Sequence, residues 1–211
     1  MILKNFVVFE GGDGSGTTTQ LDLLKKRFSE NIKLPKLYPT FEPTEGTLGV
    51  FIRSVLKGEQ IIPPKTMAIL FAGDRALHLH SNSGILERTQ RNELVVCDRY
   101  TPSSLVYQGI TCGKELPYTL NSHFPLPEML LFFDIDPEIA LKRTEKREIK
   151  EIYEYLDFQK KVREEYKTIL SEYKEKGVKV TIIDAKKSVE EVAEIVWIEI
   201  QKLPIMNYEN R

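Results

Sequence analysis

The chain has 211 residues, which favours a single domain and is enough to bury a sizeable core. Thirty basic residues against 31 acidic residues give a net charge of −1, so the total charge points to neither nucleic acid nor an anionic membrane, and small molecules are the expected partners. No apolar stretch approaches the roughly 18 residues of a membrane span, and Glu10 comes before a signal-peptide core could form, which predicts a cytoplasmic protein.

Short apolar runs rich in β-branched and aromatic residues predict strands, in chain order, at residues 6–9, 37–41, 94–97, 129–135 and 178–183, the second of which is the weakest. Helical patterns separate these runs. This alternation predicts an α/β fold with a doubly wound sheet, in which ligands gather at the carboxyl ends of the strands.

Three further segments have legible patterns. Apolar residues at helical spacing predict an outer amphipathic helix between residues 149 and 173. Ser188 and Glu191 form a capping-box pattern before a last helix. Residues 109–127, which contain three prolines and two glycines, indicate an irregular surface excursion.

The first predicted strand leads into residues 9–20, FEGGDGSGTTTQ, which fit the P-loop pattern Gly-x-x-x-x-Gly-Lys-[Ser/Thr] except that Thr17 stands where the pattern has lysine. The glycines allow a tight turn whose N–H groups point into a concavity, and Thr18 offers a hydroxyl to Mg²⁺. A helical pattern follows, so the loop lies at a helix N-terminus, which favours an anion. A plain strand-to-helix turn is the alternative; a dinucleotide-binding pattern fits less well, because Thr17 and Thr19 occupy the places of its third glycine.

Polar residues also follow other predicted elements. Asp98 and Arg99 come directly after residues 94–97, where a carboxylate can orient Mg²⁺ and a guanidinium can bind phosphate; a structural ion pair is the alternative. Phe71 and Arg75 lie four residues apart on one helical face and combine an aromatic surface with a planar donor, as nucleobase binding requires. The alternative places Phe71 in the core and extends Arg75 to solvent.

Glu42 follows the weak second strand, and Arg53 lies eleven residues later on the next predicted helix. A Glu-Pro step is common turn chemistry, so these two residues are candidates because of where they lie. Cys97 and Cys112 lack metal-ligand spacing and are predicted to be ordinary thiols, Cys97 within a strand core.

Six motifs occur in order along the chain: FEGGDGSGTTTQ, EPTEGTLGVFIR, LFAGDRALHLH, VVCDRYTPSSLVYQG, FFDIDPEIALKR and IIDAKKSVEEV. Together they resemble the thymidylate kinase family, which transfers the γ-phosphoryl group of ATP to dTMP. The resemblance covers most of the chain. It implies a five-stranded parallel sheet of the P-loop NTPase fold, a helical lid at about residues 143–155, a homodimer, ATP as phosphoryl donor, and Mg²⁺.

The resemblance also implies contacts to the acceptor base. Phe71 would stack on thymine, and Arg75, Ser104 and Gln108 would hydrogen-bond its edge. Arg53 would help to enclose the base. These side chains supply the stacking surface and the donors and acceptors that a pyrimidine needs.

Other implied contacts concern the sugar and the phosphates. Tyr107 would crowd the 2′ position and so favour deoxyribose, while Arg99, with Glu42 nearby, would orient the dTMP phosphate. The loop at residues 184–188 resembles the one that borders adenine.

The P-loop carries the remaining implied roles. Asp13 matches the catalytic carboxylate of the loop, and Thr18 and Asp98 match the metal-binding hydroxyl and carboxylate. The residues that would bind ATP are Gly11, Gly12, Asp13, Gly14, Ser15, Gly16, Thr17, Thr18 and Thr19.

The chain departs from the family pattern in its cations. Besides Thr17 in place of lysine, Phe41 stands where many bacterial relatives have arginine before the Glu-Pro step. Residues 151–154 read Glu-Ile-Tyr-Glu where relatives often have Asp-Arg-Phe-Glu, so a lid cation is missing as well. We hypothesise that a nearby cation replaces them, although all the candidates could instead be solvated helix charges. The candidates are Arg143, Lys146, Arg147 and Lys150, with Arg143 and Arg147 in the catalytic role.

The leading function is therefore an ATP:dTMP phosphotransferase that serves dTTP synthesis. A kinase of another pyrimidine deoxynucleoside monophosphate, such as dUMP, is an alternative within the same class. A catalytically weak or silent nucleotide-binding homologue is the alternative from another class, and the retained Asp13, Thr18, Asp98 and Arg99 argue against it.

Overall fold

The computed structural model describes residues 1–145 and 151–210. Its strands are β1 (Ile2–Gly11), β2 (Leu37–Phe41), β3 (Leu94–Asp98), β4 (Leu126–Asp134) and β5 (Lys179–Asp184). Its helices are α1 (Thr17–Ser29), α2 (Thr47–Leu56), α3 (Pro64–His80), α4 (Ile85–Gln90), α5 (Thr101–Cys112), α6 (Glu115–Asn121), α7 (Pro137–Thr144), α8 (Leu156–Glu175) and α9 (Val189–Gln201). A 3₁₀ segment spans Pro204–Asn210.

The strands form one parallel sheet, whose order from edge to edge is β2, β3, β1, β4 and β5. The predicted five-stranded α/β sheet is confirmed, and each predicted apolar run coincides with a strand. In the register of the central pair, Phe9 of β1 lies beside Asp98 of β3. The carboxyl ends of β1 and β3 therefore lie at the same level of one sheet edge.

Helices cover both faces of the sheet, which explains the continuous apolar runs of its strands. Val7 and Phe9 of β1 pack into the cluster formed with α1 and α9, whereas Phe6 and Val8 point to the opposite face. On that opposite face, α5 and α8 pack over β4. Burial on both faces fixes β1, and with it the start of the loop that follows.

Two predictions about helices need correction. The helix predicted between residues 149 and 173 begins only at Leu156, and residues 151–155 precede it, although its buried stripe at Val162 and Tyr166 is confirmed. The predicted irregular excursion at residues 109–127 is wrong, because α5 continues to Cys112, α6 covers Glu115–Asn121 and β4 begins at Leu126. Pro117 does not prevent α6, since it lies in the first turn, where its missing N–H has no helical partner.

The capping box before α9 is confirmed: the Ser188 hydroxyl accepts from the Glu191 amide, and the Glu191 carboxylate accepts from the Ser188 amide. Cys97 is buried in β3, as predicted. Within the described residues, no helix combines the length and the apolar character needed to cross a membrane.

Candidate active site at the carboxyl edge of the sheet

The loop between β1 and α1 is built around glycines with positive φ. Gly14 has φ 82° and Gly16 has φ 94°, and a Cβ on Gly14 would lie 2.5 Å from the carbonyl oxygen of Ala140. Gly16 is the N-cap of α1 and no side chain caps this helix end, so its first N–H groups remain available to an anion. The backbone therefore forms an anion-binding cradle with no contribution from a side chain at residue 17.

The cradle opens into a cavity of about 620 Å³ between the loop, α7 and the start of α9, which we call the phosphate cavity after its predicted ligand. All of the predicted ATP-binding residues line this cavity except Gly11. Gly11 lies beneath the loop, where a Cβ would be 2.4 Å from Ser15 Oγ. The segment before α9 that resembled an adenine-bordering loop contributes Ala185, Lys187 and Ser188 to the same cavity.

Thr18 and Asp98 meet at the floor of this cavity, as their predicted metal-binding role requires. The Thr18 hydroxyl donates to Asp98 Oδ2 at 2.6 Å, while the buried Oδ1 of Asp98 has no hydrogen-bond partner among the described residues. A buried carboxylate oxygen without a partner is costly. A hydroxyl and a carboxylate are ligands or water-orienting groups that suit Mg²⁺, so these residues fit the metal that the family implies.

Asp13 and Arg99 form an ion pair at the mouth of the loop, with Arg99 Nη2 2.6 Å from Asp13 Oδ1. Arg99 has φ 69°, a left-handed conformation that turns its side chain from the end of β3 towards the loop. Burial acts to lower the pKa of Arg99, but its interactions with Tyr107 and Asp13 outweigh burial and raise the pKa above its ordinary value. The guanidinium is therefore a permanent cation.

A second cavity, of about 160 Å³, lies between α2, α3 and α5, and we call it the acceptor cavity after its predicted ligand. The eight residues predicted to bind the acceptor all line it: Glu42, Arg53, Phe71, Arg75, Arg99, Ser104, Tyr107 and Gln108. The two cavities share Asp13, Arg99 and Glu151 in their walls. A group bound in one cavity thus comes close to a group bound in the other.

Arg75 is only 1% exposed, so the alternative in which it extends to solvent is wrong. It forms an ion pair with Glu42 at 2.6 Å, and it also donates to Ser104 and Asn121. Burial acts to lower the pKa of Arg75, but its interactions with Glu42 and with Tyr100 together raise the pKa above its ordinary value. Because a guanidinium has five N–H groups and these contacts use four, one Nη1 hydrogen is left for a ligand.

Two neighbouring groups, Arg53 and His78, hold this wall of the acceptor cavity in place. Arg53 donates to the carbonyl oxygens of Pro43 and Thr44, which fixes the segment after β2. His78 lies 3.1 Å from the second oxygen of Glu42. The position of Glu42 is therefore set from two sides.

Sequence reasoning missed two polar residues of the site. Gln159 of α8 donates to Asp13 Oδ2 at 2.7 Å and accepts from the Asp13 amide at 3.3 Å. The sequence does contain one indication of Gln159: it is a polar residue within the apolar stripe of this helix, three positions before Val162. Asn121 could not be found, because it ends the helix that was not predicted.

The cations proposed to replace the missing lysine are only partly described. Arg143 lines the phosphate cavity and donates to the Ala185 carbonyl oxygen at 3.0 Å, which places it on the α9 side. Lys146, Arg147 and Lys150 lie outside the described residues. Tyr153, from the predicted lid, reaches the acceptor cavity and packs against Tyr107.

The parallel sheet, the glycine loop and the paired cavities define the class: an ATP-dependent nucleoside monophosphate kinase with the P-loop NTPase fold. A family model for thymidylate kinase matches residues 9–196. The chain therefore belongs to the thymidylate kinase family.

Individual relatives agree with this family. A protein of Treponema pallidum (strain Nichols) is 42% identical over 196 residues, covering 92% of this chain and 93% of the relative. Relatives from Methanococcus maripaludis (strain C6) and Pyrobaculum aerophilum are 38% and 40% identical over 96% and 89% of this chain, and 98% and 92% of their own lengths. The curated names of all three contain the words thymidylate kinase.

The buried ion pair makes Glu42→Ala a sharp test of how the acceptor wall is held. Removing this carboxylate leaves the Arg75 guanidinium buried and unpaired, so we expect the free energy of unfolding in urea to fall by about 3–5 kcal/mol. The control is Glu194→Ala, which removes the carboxylate from a tertiary ion pair with Arg27 whose side chains are 60% and 38% exposed. That variant should lose about 1 kcal/mol or less. Equal losses in the two variants would contradict the role given to the Glu42–Arg75 pair.

Proposed function

We propose that the protein transfers the γ-phosphoryl group of ATP to dTMP, giving ADP and dTDP for dTTP synthesis. The observation that carries the proposal is the pair of cavities that meet at Asp13 and Arg99. The phosphate cavity would hold ATP and the smaller cavity would hold dTMP. Phosphoryl transfer requires two nucleotides in line with each other and little covalent help from the protein, which suits this arrangement.

In the phosphate cavity, the loop amides and the α1 N-terminus would bind the ATP phosphates. Thr18 and Asp98 would hold Mg²⁺, which supplies positive charge to the phosphate oxygens. Asp13 keeps Arg99 at the junction, where its guanidinium would bind the acceptor phosphate, with Glu42 nearby. The protein's part is thus to position the two nucleotides and to stabilise charge.

In the acceptor cavity, we propose the base contacts that the family resemblance implies. Phe71 would stack on thymine, and Arg75, Ser104 and Gln108 would bind its edge, with the free Nη1 hydrogen of Arg75 among the donors. Arg53 would close the cavity from the α2 side. Tyr107 packs beside Arg99 and would exclude a 2′ hydroxyl.

The activity is tested with purified protein, ATP and Mg²⁺, and with dTMP, dUMP, dGMP and dCMP as separate acceptors. We expect dTMP to give the highest kcat/KM in a coupled ADP assay, because the contacts proposed for Phe71, Arg75 and Gln108 are those that the family resemblance implies for thymine. The alternatives of a silent homologue and of a dUMP kinase gain no support from the fold, the site or the relatives. Tight dTMP binding without ADP release above background would nevertheless contradict the enzyme reading.

We further propose that residues 143–155 act as the lid and that its cations, Arg143 and Arg147 above all, replace the missing P-loop lysine. Arg143 already lines the phosphate cavity, and Tyr153 from the same region lines the acceptor cavity. Alanine at residue 143 or 147 should lower kcat by about 10-fold to 100-fold. The control is Lys142→Ala, an exposed cation at the end of α7, which should leave kcat unchanged.

Thr17→Lys complements these variants. Because Thr17 lines the phosphate cavity at the start of α1, a lysine there should raise kcat, whereas Thr17→Ala should not. A lower rate with lysine would mean that Thr17 belongs to a rebuilt site. If neither lid alanine changed turnover, the lid would not supply the missing charge.

We propose that the protein is a homodimer formed through α2 and α3. Ile69, Gly73 and Leu77 follow one another at four-residue spacing on α3, opposite the acceptor cavity, and Ile69 and Leu77 are 54% and 57% exposed. Phe51 of α2 adds a further exposed apolar side chain. Leu77→Glu should convert the dimer to a 24.4 kDa monomer in analytical ultracentrifugation, whereas Ile198→Glu on the exposed face of α9 should not. A monomeric wild-type protein would contradict this proposal.

We also propose that the protein works in the cytoplasm, where its substrates ATP and dTMP would be available. The absence of a membrane-spanning helix among the described residues is compatible with this location. Cell fractionation tests it, and recovery of the protein with membranes would contradict it.

A further inference from the structure

Glu10 is a buried carboxylate for which nucleotide binding gives no direct use. It is fully buried at the end of β1, immediately before the loop, and it lines neither nucleotide cavity. Carboxylates are rarely buried unless specific partners require them. The partners of Glu10 indicate what it does.

One oxygen of Glu10 binds the start of α5. Its Oε1 accepts from the Tyr100 amide at 2.8 Å and from the Ser103 amide at 3.2 Å. Tyr100 is the N-cap of α5, and no side chain of its own caps the helix. The Glu10 carboxylate from β1 accepts the amide hydrogen bonds instead. Because α5 carries Ser104, Tyr107 and Gln108, Glu10 sets the position of one acceptor wall.

The other oxygen of Glu10 orients a serine. Its Oε2 accepts from the Ser103 hydroxyl at 2.6 Å and from the Tyr166 hydroxyl at 2.8 Å. The Ser103 hydroxyl has a single hydrogen, and it donates this hydrogen in a hydrogen bond to the ionised carboxylate at 2.6 Å. The oxygen lone pairs of Ser103 are then free to accept from Arg99 Nη1, which lies 3.3 Å away.

Burial makes the ionised form of Glu10 unfavourable. Burial raises its pKa to about 6, although the Ser103 hydrogen bond and the Arg99 charge both act to lower it. Four donors of the described residues point at its two oxygens, so an uncharged amide of the same shape would turn an N–H group towards the Ser103 and Tyr166 hydroxyls. The carboxylate is therefore explained by the donors that it orients.

The groups that face Glu10 come from β3, from the segment between β3 and α5, and from α8. The β3–α5 region presents Cys97, Arg99 and Tyr100, and α8 presents Tyr166 and Tyr173. Burial raises the pKa of the Cys97 thiol and of these three tyrosines, and Arg99 stays charged. Within this set, Glu10 is the group that changes charge between pH 5 and 7.

We infer that Glu10 is a positioning residue for the phosphoryl acceptor, whose ionised carboxylate directs the Ser103 hydroxyl and, through it, the Arg99 guanidinium. The inference rests on the proposed function, because Arg99 is the group proposed to bind the acceptor phosphate. A glutamine at residue 10 would donate an N–H towards Ser103. The Ser103 hydroxyl would then rotate its hydrogen away from residue 10, and the lone pair that accepts from Arg99 Nη1 would rotate with it, while Arg99 Nη2 keeps its contact with Asp13.

The test compares Glu10→Gln with Glu93→Gln. Glu93 is also a buried carboxylate, but it pairs with Lys36 and Arg88 away from both cavities. Glu10→Gln should lower kcat/KM for dTMP by about tenfold or more while the KM for ATP stays within about twofold. Glu93→Gln should leave both kinetic constants unchanged. Wild-type activity should fall below about pH 6 as Glu10 and the acceptor phosphate gain protons, and Glu10→Gln should keep only the part of this decline that comes from the phosphate.

Ser103→Ala tests the relay itself. It should lower kcat/KM for dTMP, and the double variant Glu10→Gln/Ser103→Ala should be no worse than the more impaired single variant, because both act through one contact. Additive losses would overturn the relay.

The possible failures are distinguishable. If the wild type phosphorylates dTMP and Glu10→Gln matches it, the inference fails and the proposed function stands. Equal kinetic losses in Glu10→Gln and Glu93→Gln would reduce Glu10 to a structural residue. If the wild type phosphorylates no dTMP, the proposed function fails, and calorimetric dTMP affinities that are equal in wild type and Glu10→Gln overturn the inference as well.

Discussion

The pairing of β1 with β3 is the constraint on which the site depends. Phe9 lies level with Asp98 in the parallel ladder, so the loop after β1 and the polar residues after β3 leave the sheet side by side. This brings Thr18 to Asp98 and Asp13 to Arg99, each at 2.6 Å. A slip of one residue would exchange the two faces of a strand that is packed on both sides, so core packing fixes the register and thereby the site.

Opposite charges then hold the site in shape before any nucleotide arrives. Glu42 holds Arg75, Asp13 holds Arg99, and Glu10 holds the start of α5. Each carboxylate lies at or near the carboxyl edge of a strand and aims a cation or a helix at a cavity. Because these side chains are already in place, little free energy is spent on ordering them when substrates bind. A reaction that relies on positioning requires this.

The loss of the P-loop lysine changes the charge of this site more than its shape. Backbone amides and the end of α1 form the cradle, and they do not depend on the side chain at residue 17. Among the described residues that line the phosphate cavity, the cations Arg99, Arg143 and Lys187 are balanced by Asp13, Asp98 and Glu151. Since a triphosphate is strongly anionic, this even balance explains why Mg²⁺ and additional lid cations matter in the proposed mechanism.

Features that depend on a few neighbouring residues were predictable from the amino-acid sequence. Apolar runs located the five strands, glycine spacing located the loop, and the Ser188–Glu191 pattern located the start of α9. The family resemblance, carried by ordered motifs, selected acceptor residues that the structure brings together in one cavity.

The way those residues are held depends on contacts between distant parts of the chain. The partners Arg75 and Glu42 lie 33 residues apart in the chain, Tyr100 and Glu10 lie 90 apart, and Gln159 and Asp13 lie 146 apart. Local patterns carry no information about such pairs, because their contact depends on how helices pack over the sheet. The same packing excludes water from Arg75 and Glu10, and this burial gives both charged groups their roles.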